Sequence, residues 1–296
     1  RPEHFLPLRL RQALPGVATE LDALSTVVSR HPSADGSERL LLRLVDGQTI
    51  ESVLLPRGGV CVSTQVGCAV GCRFCMTGKG GLLRQLGSAE IVAQVVQARR
   101  IRPVKKVVFM GMGEPAHNLD AVFAAIDCLA AEGAIGHKNL VLSTVGDPRV
   151  FERLPREAVK PALALSLHSL DAARRADLLP KAPRYEPSEL FREAVDYAEA
   201  TSYPLQVQWT LLDGVNDGED EINALIALFA GRYAMLNFIP WNAVEGLPFR
   251  RPDWERARAL AARLNAAGVL TTLRDSAGQD VDGGCGQLRA RALDLA

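Results

Sequence analysis

Three closely spaced cysteines are the residues of this 296-residue chain best suited to chemistry. Cys68, Cys72 and Cys75 form the pattern C-x3-C-x2-C. Thiolates this close in sequence can converge on one soft metal centre, and iron–sulfur clusters are held by cysteine thiolates, normally four. Because no fourth cysteine continues the run, the pattern indicates a cluster that leaves one iron open to chelate a small molecule.

Two simpler interpretations, a zinc site and three unrelated thiols, explain this spacing less well. Zinc sites usually combine two C-x2-C pairs, or cysteines with histidines. No second pair of this kind occurs in the chain. We therefore favour the iron–sulfur interpretation.

The three remaining cysteines have different surroundings. Cys285 stands among glycines in the sequence DGGCGQ, which leaves a thiol exposed and mobile, as a nucleophile requires. Cys61 precedes Cys68 on the same predicted strand. Cys128 falls on the apolar face of a predicted helix, where we expect a buried and inert side chain.

The composition predicts an ordinary globular protein without a membrane span. No apolar run approaches the ~18 residues of a transmembrane helix, and no signal peptide is evident. The six cysteines are not spaced as a disulfide framework, so we expect a cytoplasmic protein. With 34 basic and 34 acidic residues the net charge is zero, which argues against a strongly basic nucleic-acid binder but not against a local basic patch.

The N-terminal part of the chain predicts a short extension. Residues 1–35 have a helical apolar pattern, and residues 40–45 and 49–55 flank Asp46-Gly47 as a β-hairpin would. We therefore expect an N-terminal extension over residues 1–58 and a second unit over residues 59–296.

From residue 60 onward, apolar strands alternate with helices. This alternation predicts an α/β fold with a parallel sheet and helices outside it. Because no dinucleotide-binding glycine fingerprint is present, we expect a partial (β/α)6 barrel. The predicted strands cover residues 60–66, 104–110, 139–143, 161–167, 205–212, 234–239 and 269–274.

Several polar residues follow directly after these predicted strands. Barrel enzymes place their chemistry at the carboxyl ends of the strands. Gly113 allows close approach of a ligand to the backbone, and Glu114 can accept hydrogen bonds from an ammonium or a ribose hydroxyl. Other candidates of this kind are Ser143, Ser166, His168 and Asn242.

Together these segments resemble the RlmN/Cfr family of radical S-adenosylmethionine (SAM) RNA methyltransferases. The resemblance extends from about residue 40 to residue 290. It rests on CVSTQVGC at 61–68, the cysteine pattern, GMGEP at 111–115, LST at 142–144, ALSLH at 164–168, GVND at 214–217, NFIPWN at 237–242 and residues 280–288.

The resemblance implies a role for each matching residue. Cys285 would be methylated on sulfur, Cys61 would resolve it by forming a transient disulfide, and Glu51 would accept a proton. Cys68, Cys72 and Cys75 would hold a [4Fe–4S] cluster. The SAM site would be lined by Gly113, Glu114, Ser143, Ser166, Leu167, His168 and Asn242.

The chemistry that the resemblance implies divides a difficult methylation into easier steps. An adenine carbon such as C2 is too weak a nucleophile to displace the methyl group of SAM. The thiol of Cys285 would take a methyl group from one SAM, and a second SAM would be cleaved at the cluster to a radical that activates this methyl group. The carbon would then add to adenine, and Cys61 would release the product.

This chain departs from the family pattern in having a short N-terminal extension and a low net charge. Both departures concern the recognition of the substrate. C2 methylation of adenosine in 23S ribosomal RNA, and also in transfer RNA, is the leading hypothesis. C8 methylation, a paralogue with a smaller RNA or a non-RNA substrate, and a non-enzymatic iron–sulfur protein are the alternatives. The resemblance also implies an electron donor such as flavodoxin or ferredoxin, and we expect a monomer.

Overall fold

The computed structural model describes residues 5–290, which begin with a helix and three antiparallel strands. These are α1 (Leu8–Ala23), β1 (Ser25–Pro32), β2 (Glu38–Leu44) and β3 (Thr49–Leu55). The pairing of β2 with β3 confirms the predicted hairpin. The prediction of helix through residue 35 was wrong, because buried and exposed side chains alternate along β1 with the period of a strand.

The cysteine loop lies beyond two short strands. β4 (Gly59–Cys61) is followed after a break by β5 (Gln65–Gly67), and β6 (Leu82–Gln85) pairs antiparallel with β5. The continuous strand predicted for residues 60–66 is therefore two strands. At the break, the side chain of Gln94 replaces a neighbouring strand, since it hydrogen bonds to both the N–H and the carbonyl of Ser63 at 2.8 Å.

Seven strands, β4 and six later ones, run parallel and confirm the expected α/β class. The later strands are β7 (Lys106–Phe109), β8 (Leu140–Thr144), β9 (Ala162–Ser166), β10 (Leu205–Leu211), β11 (Ala234–Pro240) and β12 (Thr271–Leu273). With β1–β3 they form one ten-stranded sheet in the order β1-β2-β3-β4-β7-β8-β9-β10-β11-β12. Strands on both sides of residue 58 thus belong to the same sheet.

Helices follow β6 and each parallel strand from β7 to β11, which gives six strand–helix units and a final short strand. The helices are α2 (Ser88–Ile101), α3 (Leu119–Ala131), α4 (Pro148–Arg153), α5 (Ala172–Leu178), α6 (Pro187–Thr201), α7 (Glu219–Phe229) and α8 (Trp254–Ala266). None of the helices within residues 5–290 has the length and apolar character needed to cross a bilayer.

The alternation of side chains along the strands determines which residues face the interior of the curved sheet. On β10, Val207 and Trp209 belong to the main hydrophobic core. The alternate residues Gln206, Gln208 and Thr210 line a cavity on the opposite face. The sheet thus has an apolar outer face and a partly polar inner face.

The last described segment, residues 275–290, connects the two ends of this sheet. Asp35 in the turn after β1 accepts a hydrogen bond from the backbone N–H of Gly278 at 3.1 Å. Thr49 on β3 donates its hydroxyl to the carbonyl of Ala290 at 3.1 Å. The N-terminal strands therefore hold the segment that carries Cys285.

Candidate active site

The three cysteines of the C-x3-C-x2-C pattern lie around a tight loop. Gly67, just before Cys68, has φ +80°, and a Cβ atom here would lie 2.0 Å from the carbonyl oxygen of Gly81. Only glycine fits this position. The N–H of Cys68 donates to the same carbonyl at 2.9 Å, and the N–H of Cys75 donates to the carbonyl of Cys72 at 3.1 Å.

All three cysteines open into one cavity of about 640 Å³ inside the curved sheet. Burial raises the pKa of Cys68 to about 12, and the nearby Cys75 and Glu114 contribute to the increase. Burial also raises the pKa of Cys72, with a further increase from Cys75 and Cys68. Bound metal is therefore needed to stabilise Cys68 and Cys72 as thiolates.

This arrangement fits a cluster better than a single metal ion. Within residues 5–290, no group of three cysteine, histidine or carboxylate side chains converges closely enough to hold one ion. A [4Fe–4S] cluster does not need such convergence, because each cysteine binds a different iron. Cys68, Cys72 and Cys75 can therefore hold such a cluster at the wall of the cavity.

Next to the cysteines, Gly113 and Glu114 form a cradle at the carboxyl end of β7. Gly113 has φ +109°, and a Cβ atom on it would lie 2.7 Å from the side chain of Gln65. Burial raises the pKa of Glu114 to about 7, although Ala116 and Val145 donate their N–H groups to its carboxylate at 3.1 and 3.0 Å. A buried carboxyl with this pKa is suited to bind an ammonium group.

Ser143 and Ser166 line the cavity at the ends of β8 and β9. The next two candidates along the chain, Leu167 and His168, differ from each other in position. His168 lines the cavity, its Nδ1 accepts the N–H of Thr210 at 2.9 Å, and burial lowers its pKa to about 3, so its ring is neutral. Leu167 is fully buried in the hydrophobic core. Its side chain does not line the cavity, so only its backbone is available to a ligand.

Asn242 connects the predicted SAM site with the segment that contains Cys285. Its Nδ2 donates to the hydroxyl of Ser276 and to the carbonyl of Cys285, both at 2.9 Å. Its Oδ1 is buried and has no partner among the described residues. Unlike the other polar candidates, Asn242 is not among the residues that line the cavity.

Cys61 and Cys285 line the same cavity as the cluster cysteines. Burial raises the pKa of Cys61, and the proximity of Cys285 raises it further. Burial also raises the pKa of Cys285, while a hydrogen bond from Ser276 and the charge of Arg274 partly oppose this. The structure therefore brings together the two thiols that the sequence singled out.

Glu51 occupies a different environment from the other predicted catalytic residues. It is fully buried, pairs with Arg39, and accepts the backbone N–H groups of Arg289 and Ala290 at 2.7 and 2.9 Å. It does not line the cavity. Both of its oxygens are thus occupied at the back of the C-terminal segment.

Cys128 contradicts the expectation of a buried side chain. It is exposed, because the buried stripe of α3 passes through Val122, Ile126 and Leu129 and leaves Cys128 on the adjacent side. Sequence reasoning missed other cavity residues, because a single polar side chain inside or just after a strand gives no distinctive signal. These residues are Lys106, Gln206, Gln208, Thr210, Arg274 and Ser276.

Comparisons with known proteins agree with this site. A model of the radical SAM superfamily matches residues 62–226. A protein of Leptothrix cholodnii named "Probable RNA methyltransferase" is 67% identical over 99% of this chain and 84% of its own length. A protein of the same name from Thiobacillus denitrificans is 67% identical over 100% of this chain and 82% of its own length.

A solved structure has the same fold. The radical SAM methyltransferase from Sphaerobacter thermophilus superposes with a TM-score of 0.88 at 39% identity, covering 97% of this chain and 87% of that one. Enzymes of this superfamily use a [4Fe–4S] cluster and SAM, which the cavity residues are arranged to hold. The chain belongs to the radical SAM superfamily.

Proposed function

We propose that this protein is an RNA methyltransferase of the RlmN/Cfr type that methylates C2 of an adenosine through an S-methylcysteine. Its substrate would be 23S ribosomal RNA, with transfer RNA as the second candidate. The names of the relatives and of the solved structure support methyl transfer and an RNA substrate. The observation that carries the proposal is the presence of Cys61 and Cys285 in the cavity of the cluster cysteines.

The pair of thiols favours this activity over a simpler iron–sulfur function. A binding or sensing protein needs the cluster cysteines but has no use for two further thiols beside them. Cys285 is exposed to the cavity, whereas Cys61 is buried at its wall. In the proposed reaction Cys285 receives the methyl group, and Cys61 attacks the sulfur of Cys285 when the product is released.

The protein's own residues supply binding and placement. When bound, the cluster and SAM supply the methyl group and a carbon radical that activates it. Glu114 lines the cavity and would bind a polar group of SAM, and the buried Oδ1 atom of Asn242 would accept from another. The Nδ2 of Asn242 holds the backbone of Cys285. His168 is neutral, because its pKa is lowered by burial, and it accepts from the backbone rather than from a substrate.

The test is an anaerobic methylation assay with a reconstituted cluster, SAM and a reductant. Ribosomal RNA and transfer RNA are offered separately, digested and analysed by mass spectrometry. The proposal expects 2-methyladenosine, and the RNA that carries it identifies the substrate. Production of 8-methyladenosine would show that the enzyme methylates C8 instead of C2. If 5′-deoxyadenosine forms without methylated RNA, the RNA assignment is wrong.

A further inference from the structure

Three cations line the cavity without a carboxylate partner. Arg57, Lys106 and Arg274 all face this space. Within the described part of the chain none of them forms an ion pair, whereas the nearby Arg250 and Arg251 do, with Asp213 and Asp275 respectively. Arg250 and Arg251 are therefore neutralised by carboxylates of the protein, whereas Arg57, Lys106 and Arg274 are not.

The acidic side chains that share the cavity are already occupied. Asp35 accepts hydrogen bonds from the N–H groups of Ser37 at 2.8 Å and of Gly278 at 3.1 Å. Asp275 pairs with Arg251 at 2.7 Å. Glu114 lines the cavity as well and, like Asp35, has no cation partner among the described residues. Three unpaired cations thus face two unpaired carboxyl groups.

Lys106 lies one step along the strand from the reactive thiols. The register of β4 and β7 places Cys61 beside Val108 and Gly59 beside Lys106. Residues two apart on a strand share a face and are separated by about 7 Å, so Lys106 is one side-chain layer from Cys61.

Arg274 lines the same cavity as Lys106 and Cys285. Burial lowers the pKa of Lys106, and the charge of Arg274 lowers it further. Burial lowers the pKa of Arg274, and the nearby Cys285 opposes this. Both cations thus contribute positive charge to the cavity that contains Cys285.

Two like charges in a confined space repel each other and are poorly solvated, so their proximity is unfavourable in the free protein. An anion between them removes both costs. Arginine offers phosphate a planar pair of donors, and lysine offers a compact charge. The neutral amide of Gln206 lines the same part of the cavity and adds a further hydrogen-bonding group without adding charge.

We propose that Lys106 and Arg274 form an anion subsite that binds the phosphate of the nucleotide whose base reaches Cys285. The inference rests on the proposed function, since RNA supplies this phosphate. The proposed subsite would bind the phosphate of a single nucleotide. Such a local site explains how a chain with no net charge can hold an RNA substrate. The phosphate would anchor the nucleotide, while the cysteines act on its base.

A test that does not depend on RNA methylation compares two small probes, adenosine 5′-monophosphate and adenosine. Equilibrium binding of each is measured with the cluster-reconstituted protein. We expect the monophosphate to bind about tenfold more tightly, as hydrogen bonds to charged groups predict. This preference should disappear in Lys106→Gln and Arg274→Gln. Lys105→Gln is the matched control, because Lys105 is exposed and outside the cavity.

A second measurement separates the subsite from an effect on the thiol. Methylation of Cys285 by SAM without RNA is followed by the mass of the intact protein. If Arg274→Gln loses this methylation and keeps the preference for the monophosphate, Arg274 serves Cys285 and the subsite is wrong. Equal binding of the two probes by the wild-type protein would also overturn it, whatever RNA product is found. Absence of 2-methyladenosine with the preference intact would instead contradict only the proposed function.

Discussion

Glu51 accepts the backbone N–H of Arg289 at 2.7 Å, although the two residues are 238 positions apart. The other oxygen of Glu51 pairs with Arg39, and both side chains are buried. The ion pair therefore fastens the end of the Cys285 segment to the N-terminal strands. In this position Glu51 holds the segment in place, and the role of proton acceptor that the resemblance implies stays an untested prediction.

Replacing Glu51 should destabilise the protein. Glu51→Ala leaves Arg39 buried without a partner, and breaking a buried pair in this way costs about 3–5 kcal/mol. Glu51→Gln keeps an acceptor for Arg289 and should cost less. Denaturant unfolding measures the free energy, and hydrogen exchange of residues 275–290 reports whether the segment loosens.

An exposed glutamate provides the control for this experiment. Glu199 lies on the surface at the end of α6, and Glu199→Gln should leave the free energy of unfolding unchanged. If Glu51→Gln retains normal stability and exchange but accumulates RNA bound covalently to Cys285, the proton-acceptor role is correct.

The sequence predicted the parts of the fold that have a strong local signal. The hairpin around Asp46-Gly47 and the alternation of strands and helices are confirmed, because turn residues and apolar periodicity are local properties. Strand β1 was missed because it is stabilised by pairing with β2, a contact that the sequence of residues 25–32 does not reveal. The β5–β6 pair was missed for the same reason.

Within the site, the motifs were sufficient to identify the cysteines but not the surroundings that control them. The partners of Glu51 come from residues 39, 289 and 290, which no local pattern connects. Lys106 and Arg274 meet only because the sheet curves around the cavity. Cys128 is exposed although the next residue of the helix, Leu129, is buried, and the sequence pattern does not locate the edge of the buried stripe to within one residue.

Cys285→Ala should abolish methylation of RNA while leaving the fold intact. The side chain faces the cavity and makes no structural hydrogen bond that the neighbouring backbone depends on, since Asn242 binds the carbonyl of Cys285 rather than its sulfur. The assay is formation of 2-methyladenosine, with absorbance of the cluster as a check on assembly. Cys128→Ala is the matched control and should retain full activity. Normal turnover by Cys285→Ala would contradict the S-methylcysteine route.

Cys61→Ala should produce a different defect. With Cys61 absent, the bond between Cys285 and the RNA forms but has no thiol to break it. We expect a covalent complex of protein and RNA, visible as a slow band under denaturing conditions. The same band should be absent in the double variant Cys61→Ala/Cys285→Ala. A Cys61→Ala enzyme that turns over repeatedly without the complex would show that another group releases the product.

In the protein without cluster or SAM, the contribution of Glu114 to stability should decrease as the pH rises toward neutrality. Burial raises the pKa of its carboxyl from the ordinary 4.5 to about 7. The folded state therefore binds this proton more tightly than the unfolded state, so the contribution of the carboxyl is fully present below about pH 4.5 and is lost as the pH rises to about 7. The loss from this group is on the order of 3 kcal/mol.

Glu114→Gln removes this titration while keeping the shape of the side chain. The stability of the variant relative to the wild-type protein should therefore increase between pH 5 and pH 8. Denaturant unfolding at several pH values measures the difference. His168 has the opposite effect, because burial lowers its pKa to about 3 while the unfolded chain still binds a proton up to about pH 6.5, but this effect is the same in both proteins and cancels in the difference. Parallel stability curves for the two proteins would mean that the carboxyl of Glu114 is already ionised at pH 5, and that the hydrogen bonds from Ala116 and Val145 outweigh its burial.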